Sequence, residues 1–380
     1  MKFAKAFFTT LAAALSCLLE ATPTFAAPLA KTPGATLIVP YFEVDLDAAD
    51  GRSTLISVGN AGDRVIARAT LWSDWGVPVY AWDIYLGENA VATYNLRDIL
   101  VHGRVAPTRA PALFGNCGDP VFTPALSAAD LALLQKKLTG QNLGGGQCAS
   151  APRDDASLAT GSLTIDTVTE CRAGASRLYP NDASYFYGSR ALASPRKVLW
   201  GDFTLVDPAE NFATGFEAIA LGLAENVSST RFGDWRGNPG IAREALDNPE
   251  DCSRIRFLQG GPFAARTSLF VYTPPPQFSN TAECDIGVLG PTVWDFYSFT
   301  EDGLLQGFKR MPRGPGLSGR IEVGPTLGVV GAAGYLEVVT YESGDWGGVP
   351  EPGQPIQHLL LGAIQASGRF AVSQSGNVCR

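Results

Sequence analysis

The sequence predicts a mainly β protein: an antiparallel β-sandwich, one extended or two adjoining, with a short helical insertion. Three observations predict it. Short apolar, β-branched segments recur roughly every 10 to 15 residues, separated by Gly, Asn and Asp. Gly 42 and Pro 26 in 380 residues supply many turns. One well-capped helical segment interrupts the strands, near 127–140. At 46% hydrophobic and 17% charged residues, the chain is also too apolar and too weakly charged for disorder.

Residues 1–26 read as an export signal. Lys2 and Lys5 give a positive start, 7–19 is an apolar run, and Thr24-Phe25-Ala26 is a cleavage site that leaves Ala27 as the new terminus. The run is too short to span a bilayer, and no later apolar stretch reaches about 18 residues, so no transmembrane segment is expected. Ala14-Leu15-Ser16 before Cys17 is a poor lipoprotein match. The expected location is exported: periplasm, cell surface or beyond. Six cysteines follow the signal: Cys117, Cys148, Cys171, Cys252, Cys284 and Cys379. An even count in an exported chain reads as three disulfides. Closeness in sequence suggests Cys117–Cys148 and Cys252–Cys284, leaving Cys171–Cys379. No C-x-x-C spacing supports redox chemistry.

Residues 27–105 read as an N-terminal sandwich with strands at 36–44, 54–58, 65–72, 79–86 and 91–96. Pro40 suggests that the first is an edge strand. In 79–86 Tyr80, Trp82, Ile84 and Leu86 share one face. Residues 106–158 read as a disulfide-stapled helical insertion or linker. Ser127 and Asp130 form a capping box, Leu131, Leu134 and Leu138 make one stripe, Lys136 and Lys137 suit the helix end, and Gly140 terminates it. Residues 159–380 read as a β-rich C-terminal domain. Its strands are expected at 161–168, 197–206, 216–223, 267–273, 293–299, 320–323, 335–341, 358–364 and 369–372, with a second helix at 241–246. Glu301-Asp302-Gly303 marks a hairpin.

Five segments resemble a group of exported bacterial β-rich proteins of unknown function: Leu37-Ile38-Val39-Pro40-Tyr41-Phe42, Thr70-Leu71-Trp72-Ser73-Asp74-Trp75-Gly76, Asn95-Leu96-Arg97-Asp98, the Leu138-Thr139-Gly140 helix end, and 199–208 (LWGDFTLVDP). The resemblance runs over roughly residues 36–224. It implies export and a β-rich fold, and no activity or site residues.

The formal charge of −8 and the pI near 4.9 lack the basic footprint of a nucleic-acid binder. His102 and His358 stand alone, so a zinc or copper site is not expected. There is no H-E-x-x-H, no G-x-S-x-G and no Walker loop. Calcium has one candidate site, at Glu43, Asp45, Asp47 and Asp50 followed by Gly51; a solvated acidic loop is the plainer reading. Glycoside hydrolysis needs two suitably separated carboxylates, and Asp202, Asp207, Glu210 and Glu217 cluster around one strand and turn; Asp207-Pro208 is also an ordinary turn opener. Five aromatics fall between Trp72 and Tyr85, and Trp72, Trp75 and Tyr85 are the candidates for a binding platform. Trp75, in a turn, is expected to be the best exposed, against packing over the sandwich end. No catalytic residue and no cofactor other than calcium is assigned. The expected function is that of a non-enzymatic structural or binding protein of the cell surface or periplasm. It would dock a protein or polysaccharide by an edge strand or the aromatic turn. A carbohydrate-active hydrolase with paired carboxylates is the alternative.

Overall fold

The computed structural model describes residues 33–111, 114–118, 120–121, 123–153, 155–172, 179–180, 185, 192–221, 252–272, 282–284, 292–311, 318–343, 352–355, 359–366, 370–375 and 377–378. The signal segment 1–26, the helix expected at 241–246, His358 and Cys379 lie outside them. The described chain is mostly strand, arranged in antiparallel sheets. Sheet A has the order Ile219–Leu221, Thr36–Asp45, Leu158–Val168, Val65–Ser73, Pro78–Leu86. Sheet B is Val91–Asn95, Ser53–Asn60, Leu199–Asp207, Phe212–Glu217. Leu37, Val39, Leu71 and Ile84 of A pack with Ile56, Phe203 and Phe216 of B in one core, so A and B form a sandwich. Strands from 158–221 sit inside the sheets begun by 36–95. The expected boundary at 158/159 therefore falls within one pairing unit, because sandwich strands pair with partners distant in sequence.

Sheet C runs Leu305–Met311, Thr292–Phe299, Ala333–Ser343, Cys252–Leu258, Asn377–Val378, with Pro352–Pro355 added on Ala333–Ser343. Sheet D is Ser318–Glu322, Arg266–Tyr272, Leu359–Ala366, Phe370–Ser375. Alternation along a strand gives D two buried faces. Leu269, Val271 and Leu360 join a second core with Ile255, Phe296 and Leu336 of sheet C, while Phe270, Leu361 and Ala363 reach the first core. Sheet D thus belongs to both cores. The Phe270 ring lies 5.2 Å from Tyr41 and 5.5 Å from Phe216.

Pro40 is not on an edge strand. Thr36–Asp45 is paired on both sides, but Ile219–Leu221 covers only Thr36–Ile38, and the register with Leu158–Val168 shifts between Val39 and Phe42. A bulge, with one flank uncovered, tolerates a residue that lacks an N–H. The shift also changes the alternation. Leu37 and Val39 face the core, and an unbroken strand would send Glu43 after them. The bulge puts Phe42 and Val44 in that phase instead and releases Glu43.

The insertion helix is as expected. It spans Ala128–Leu138; Ser127 Oγ accepts from Asp130 N at 3.1 Å and donates to Asp130 Oδ2 at 2.7 Å. Leu134 and Leu138 are buried and Gly140 has φ +70°. An unexpected helix, Leu96–Leu100, replaces the end of the strand expected at 91–96, because Asn95 caps it by accepting from Arg97 N. Among the described residues the disulfides are Cys117–Cys171 and Cys148–Cys284, not the pairs suggested by closeness. The helix between Cys117 and Cys148 separates them: Cys117 packs with Ile66 and Tyr185, and Cys148 with Trp75 and Val77. Cys171 and Cys284 are thereby taken, which excludes Cys171–Cys379 and Cys252–Cys284.

The outer face of sheet A carries a buried polar row in direct register, Thr36, Asp166, Arg68, Asp83. Arg68 pairs with Asp83 at 2.7 Å, and Tyr185 Oη donates to Asp166 Oδ2 at 3.1 Å. Burial pushes Asp166 from 3.8 to about 6, against the opposing pull of Thr36, Tyr185 and Arg68. The folded state therefore holds this proton more tightly than the unfolded chain. Ionised Asp166 costs stability above about pH 6, and acidification from pH 7 to pH 4 relieves most of about 3 kcal/mol. Urea unfolding should show wild type gaining on Asp166→Asn over that interval. Parallel profiles would contradict this.

Candidate functional site

Sheets A and B meet sheet D at a cleft of about 800 Å³. Its lining comes from distant parts of the chain, including Tyr41, Glu43, Arg52, Arg153, Thr160, Asp207, Glu210, Gln259, Arg266, Arg320, Glu322 and Gln365. Glu43 is the buried anchor, 1% exposed. Its backbone N–H donates to Thr54 Oγ1 at 3.0 Å. Its carboxylate accepts from Tyr41 Oη at 3.0 Å and from Arg320 Nη1 at 3.1 Å, with Arg52 at 3.7 Å. Arg320 also donates from Nε to Glu322 at 2.8 Å and from Nη2 to Ser268 Oγ at 3.1 Å, and its guanidinium lies 5.8 Å from the Phe270 ring. Burial pushes the Tyr41 hydroxyl well above its ordinary pKa, and Glu43 adds to this, so Tyr41 remains a donor. Burial alone would lower Arg320; Glu43, Glu322 and Tyr41 outweigh it and raise the group.

The remaining charges are also cross-paired. Arg52 Nε meets Asp207 at 3.3 Å, and Arg266 meets Glu210 at 2.6 Å. Arg153 is held from behind by Asp74 at 2.7 Å. Asp74 is fully buried in the turn that links two sheet A strands, and burial raises its pKa against the opposing pull of Arg153. Its second oxygen accepts from Ala151 N at 3.1 Å. Three lining residues carry a buried polar atom with no hydrogen-bond partner among the described residues: Thr160 Oγ1, Gln259 Nε2 and Gln365 Nε2.

The structure disperses the residues expected to act together. Glu43 enters the cleft, whereas Asp45 Oδ1 accepts from Asp47 N and Ala48 N, closing the exposed turn that contains Asp47 and Asp50. Among the described residues no group of three or more His, Cys, Asp or Glu is placed to hold a metal ion. Asp207 follows the inward phase of Phe203 and Leu205 to the strand end; Asp202 is out of phase and stands in register with Glu217 on sheet B. Asp207 and Glu210 line the cleft, and Asp202 and Glu217 do not. Asp207 Oδ1 also accepts from Glu210 N, the turn role read from Asp207-Pro208.

Trp72 and Trp75 are buried, at 2% and 5% exposure, in separate clusters. Trp72 donates from its indole N–H to Thr164 Oγ1, and Trp75 packs beside Cys148. Tyr85 is half-buried edge-to-face on Phe114. The aromatic turn is thus a brace for 148–153, and its contribution to the cleft is Asp74, which positions Arg153. Arg320 and the glutamines carried no local signal. Glu43 did: an acid among Tyr41, Phe42 and Val44 requires a buried cation.

No family model matches the chain, and no curated protein matches it. Among solved structures, a similar chain is a calcium binding mutant of Bacteroides uniformis beta-glucuronidase 2, at 10% identity over 88% of this chain and 26% of that one, with a TM-score of 0.12. The chain spans about a quarter of that protein's length, and a likeness this slight carries no argument.

Proposed function

We propose that this is an exported, non-enzymatic binding protein whose ligand occupies the cleft between the A/B sandwich and sheet D. The observation that carries the reading is the set of partnerless buried polar atoms on Thr160, Gln259 and Gln365, all on the lining of one cavity. Buried polar groups are normally satisfied, and exceptions on the lining of a cavity of this size suit a ligand that satisfies them; a smaller cavity of about 440 Å³ beside Arg68, Tyr80 and Trp82 carries three such atoms as well, and the larger volume favours the cleft. The cleft carboxylates Glu43, Asp207, Glu210 and Glu322 are each engaged by an arginine. A glycosidase acid needs the opposite setting, a carboxyl kept protonated in apolar surroundings, so binding is favoured over hydrolysis. Among the described residues two disulfides are present, and no helix is long and apolar enough to cross a membrane. The disulfides suit the exported location read from the first 26 residues.

Gln259→Trp, which fills the cleft, is expected to weaken binding to a panel of soluble polysaccharides and peptides by at least about tenfold in calorimetry. The same panel incubated with wild type should release no reducing ends. Unchanged binding in Gln259→Trp would sink the cleft as the site, and hydrolysis lost in Asp207→Asn would turn the reading to an enzyme.

A further inference from the structure

We infer that the ligand is a net-neutral, hydroxyl-rich saccharide rather than an acidic glycan or a charged peptide. This deepens the binding reading and rests on it. The inference starts from charge. Four guanidiniums, Arg52, Arg153, Arg266 and Arg320, face four carboxylates, Glu43, Asp207, Glu210 and Glu322. Three of the guanidiniums pair with these four carboxylates, Arg320 taking both Glu43 and Glu322, and Arg153 pairs with Asp74 behind the wall, so four cations meet five anions. An anionic ligand would arrive where, among the described residues, every lining guanidinium is already paired, and would have to break an existing pair and desolvate its own charge. The same pairs leave much hydrogen-bonding capacity unused. A guanidinium has five N–H donors and a carboxylate about four acceptor sites. Among the described residues Arg266 donates from Nη2 alone, toward Glu210 and Gln365, and Arg52 makes one 3.3 Å and one 3.7 Å contact.

A group that fills spare donors and spare acceptors together without net charge is a hydroxyl. The partnerless atoms of Gln259, Gln365 and Thr160 fit it as well. The last torsion of a glutamine is broad, so a ligand in the cleft can be met by an amide that turns in place. Sugar rings also present apolar C–H faces, which Leu158, Phe212, Val323 and Pro325 can cover. No aromatic side chain is needed as an open platform, in keeping with the burial of Trp72 and Trp75.

The test uses purified full-length mature protein and defined probes: neutral hexasaccharides of glucose, mannose and N-acetylglucosamine, a galacturonate oligomer, and a zwitterionic tripeptide. At least one neutral probe should bind, weakened about 3- to 10-fold by Gln259→Ala and by Gln365→Ala. Its affinity should change less than about twofold between about 50 mM and about 500 mM salt, since no net charge is screened. Circular dichroism should match wild type for both variants, because neither removed amide N–H holds the fold. Binding of the galacturonate or tripeptide in preference, weakened by Gln259→Trp, overturns the ligand class and leaves the cleft standing. Binding of any probe that ignores Gln259→Trp overturns the cleft itself. No binding by any neutral probe at millimolar concentration overturns the inference.

Discussion

The double substitution Cys148→Ser/Cys284→Ser is expected to lower the free energy of unfolding by about 5 kcal/mol, the chain-entropy value for a closure of 136 residues. Cys117→Ser/Cys171→Ser, closing 54 residues, should cost about 4 kcal/mol. The first pair has a local consequence too. Cys148 belongs to the Gln147–Cys148 and Ala282–Glu283 ribbon, and the next residues carry Ala151 and Arg153 to Asp74. Its loss should therefore loosen the cleft wall at Arg153 as well as the global fold. Guanidinium unfolding of the two double variants, read side by side, checks the order. An equal or reversed order would show that loop closure does not govern these bonds.

Arg320→Met is expected to cost about 3–5 kcal/mol, because it strands Glu43 in the interior without its closest cation. Methionine keeps an apolar stem beside Phe270, so lost packing is a minor part of the change. Arg52, at 3.7 Å and more exposed, is a poor substitute. Adding Glu43→Gln should recover much of the loss, since a buried neutral amide costs far less than an unpaired carboxylate. A double variant no more stable than Arg320→Met would mean that the pair is not the source of the cost.

The fold was legible where a pattern is local. The alternation at 79–86 returned as Pro78–Leu86, and Ser127 with Asp130 gave the helix start. Glu301-Asp302-Gly303 returned as the turn between Thr292–Phe299 and Leu305–Met311, with Gly303 at φ +82°. The strand Cys252–Leu258 was missed although its signal is present: Ile255 and Phe257 are buried while Arg254 and Arg256 alternate with them. The arginines masked a strand that pairs one of its charges with Glu337 across the sheet. Disulfide partners and the cleft were not legible, for one physical reason. Both depend on strand order, and strand order joins residues far apart in the chain: Glu43 and Arg320 are 277 positions apart. The sequence read Glu43 as part of an acidic loop, and only the pairing of the sheets buries it and says which cation it meets.

Hydrogen exchange with and without the tightest-binding neutral hexasaccharide is the most direct test of the cleft as the binding site. Added protection should map to 41–43, 52–53, 153, 158–160, 207–212, 259–266, 319–325 and 365, the positions at and beside its lining. Protection centred instead on the sheet A edge strand Pro78–Leu86, or on the turn at Trp75, would contradict it.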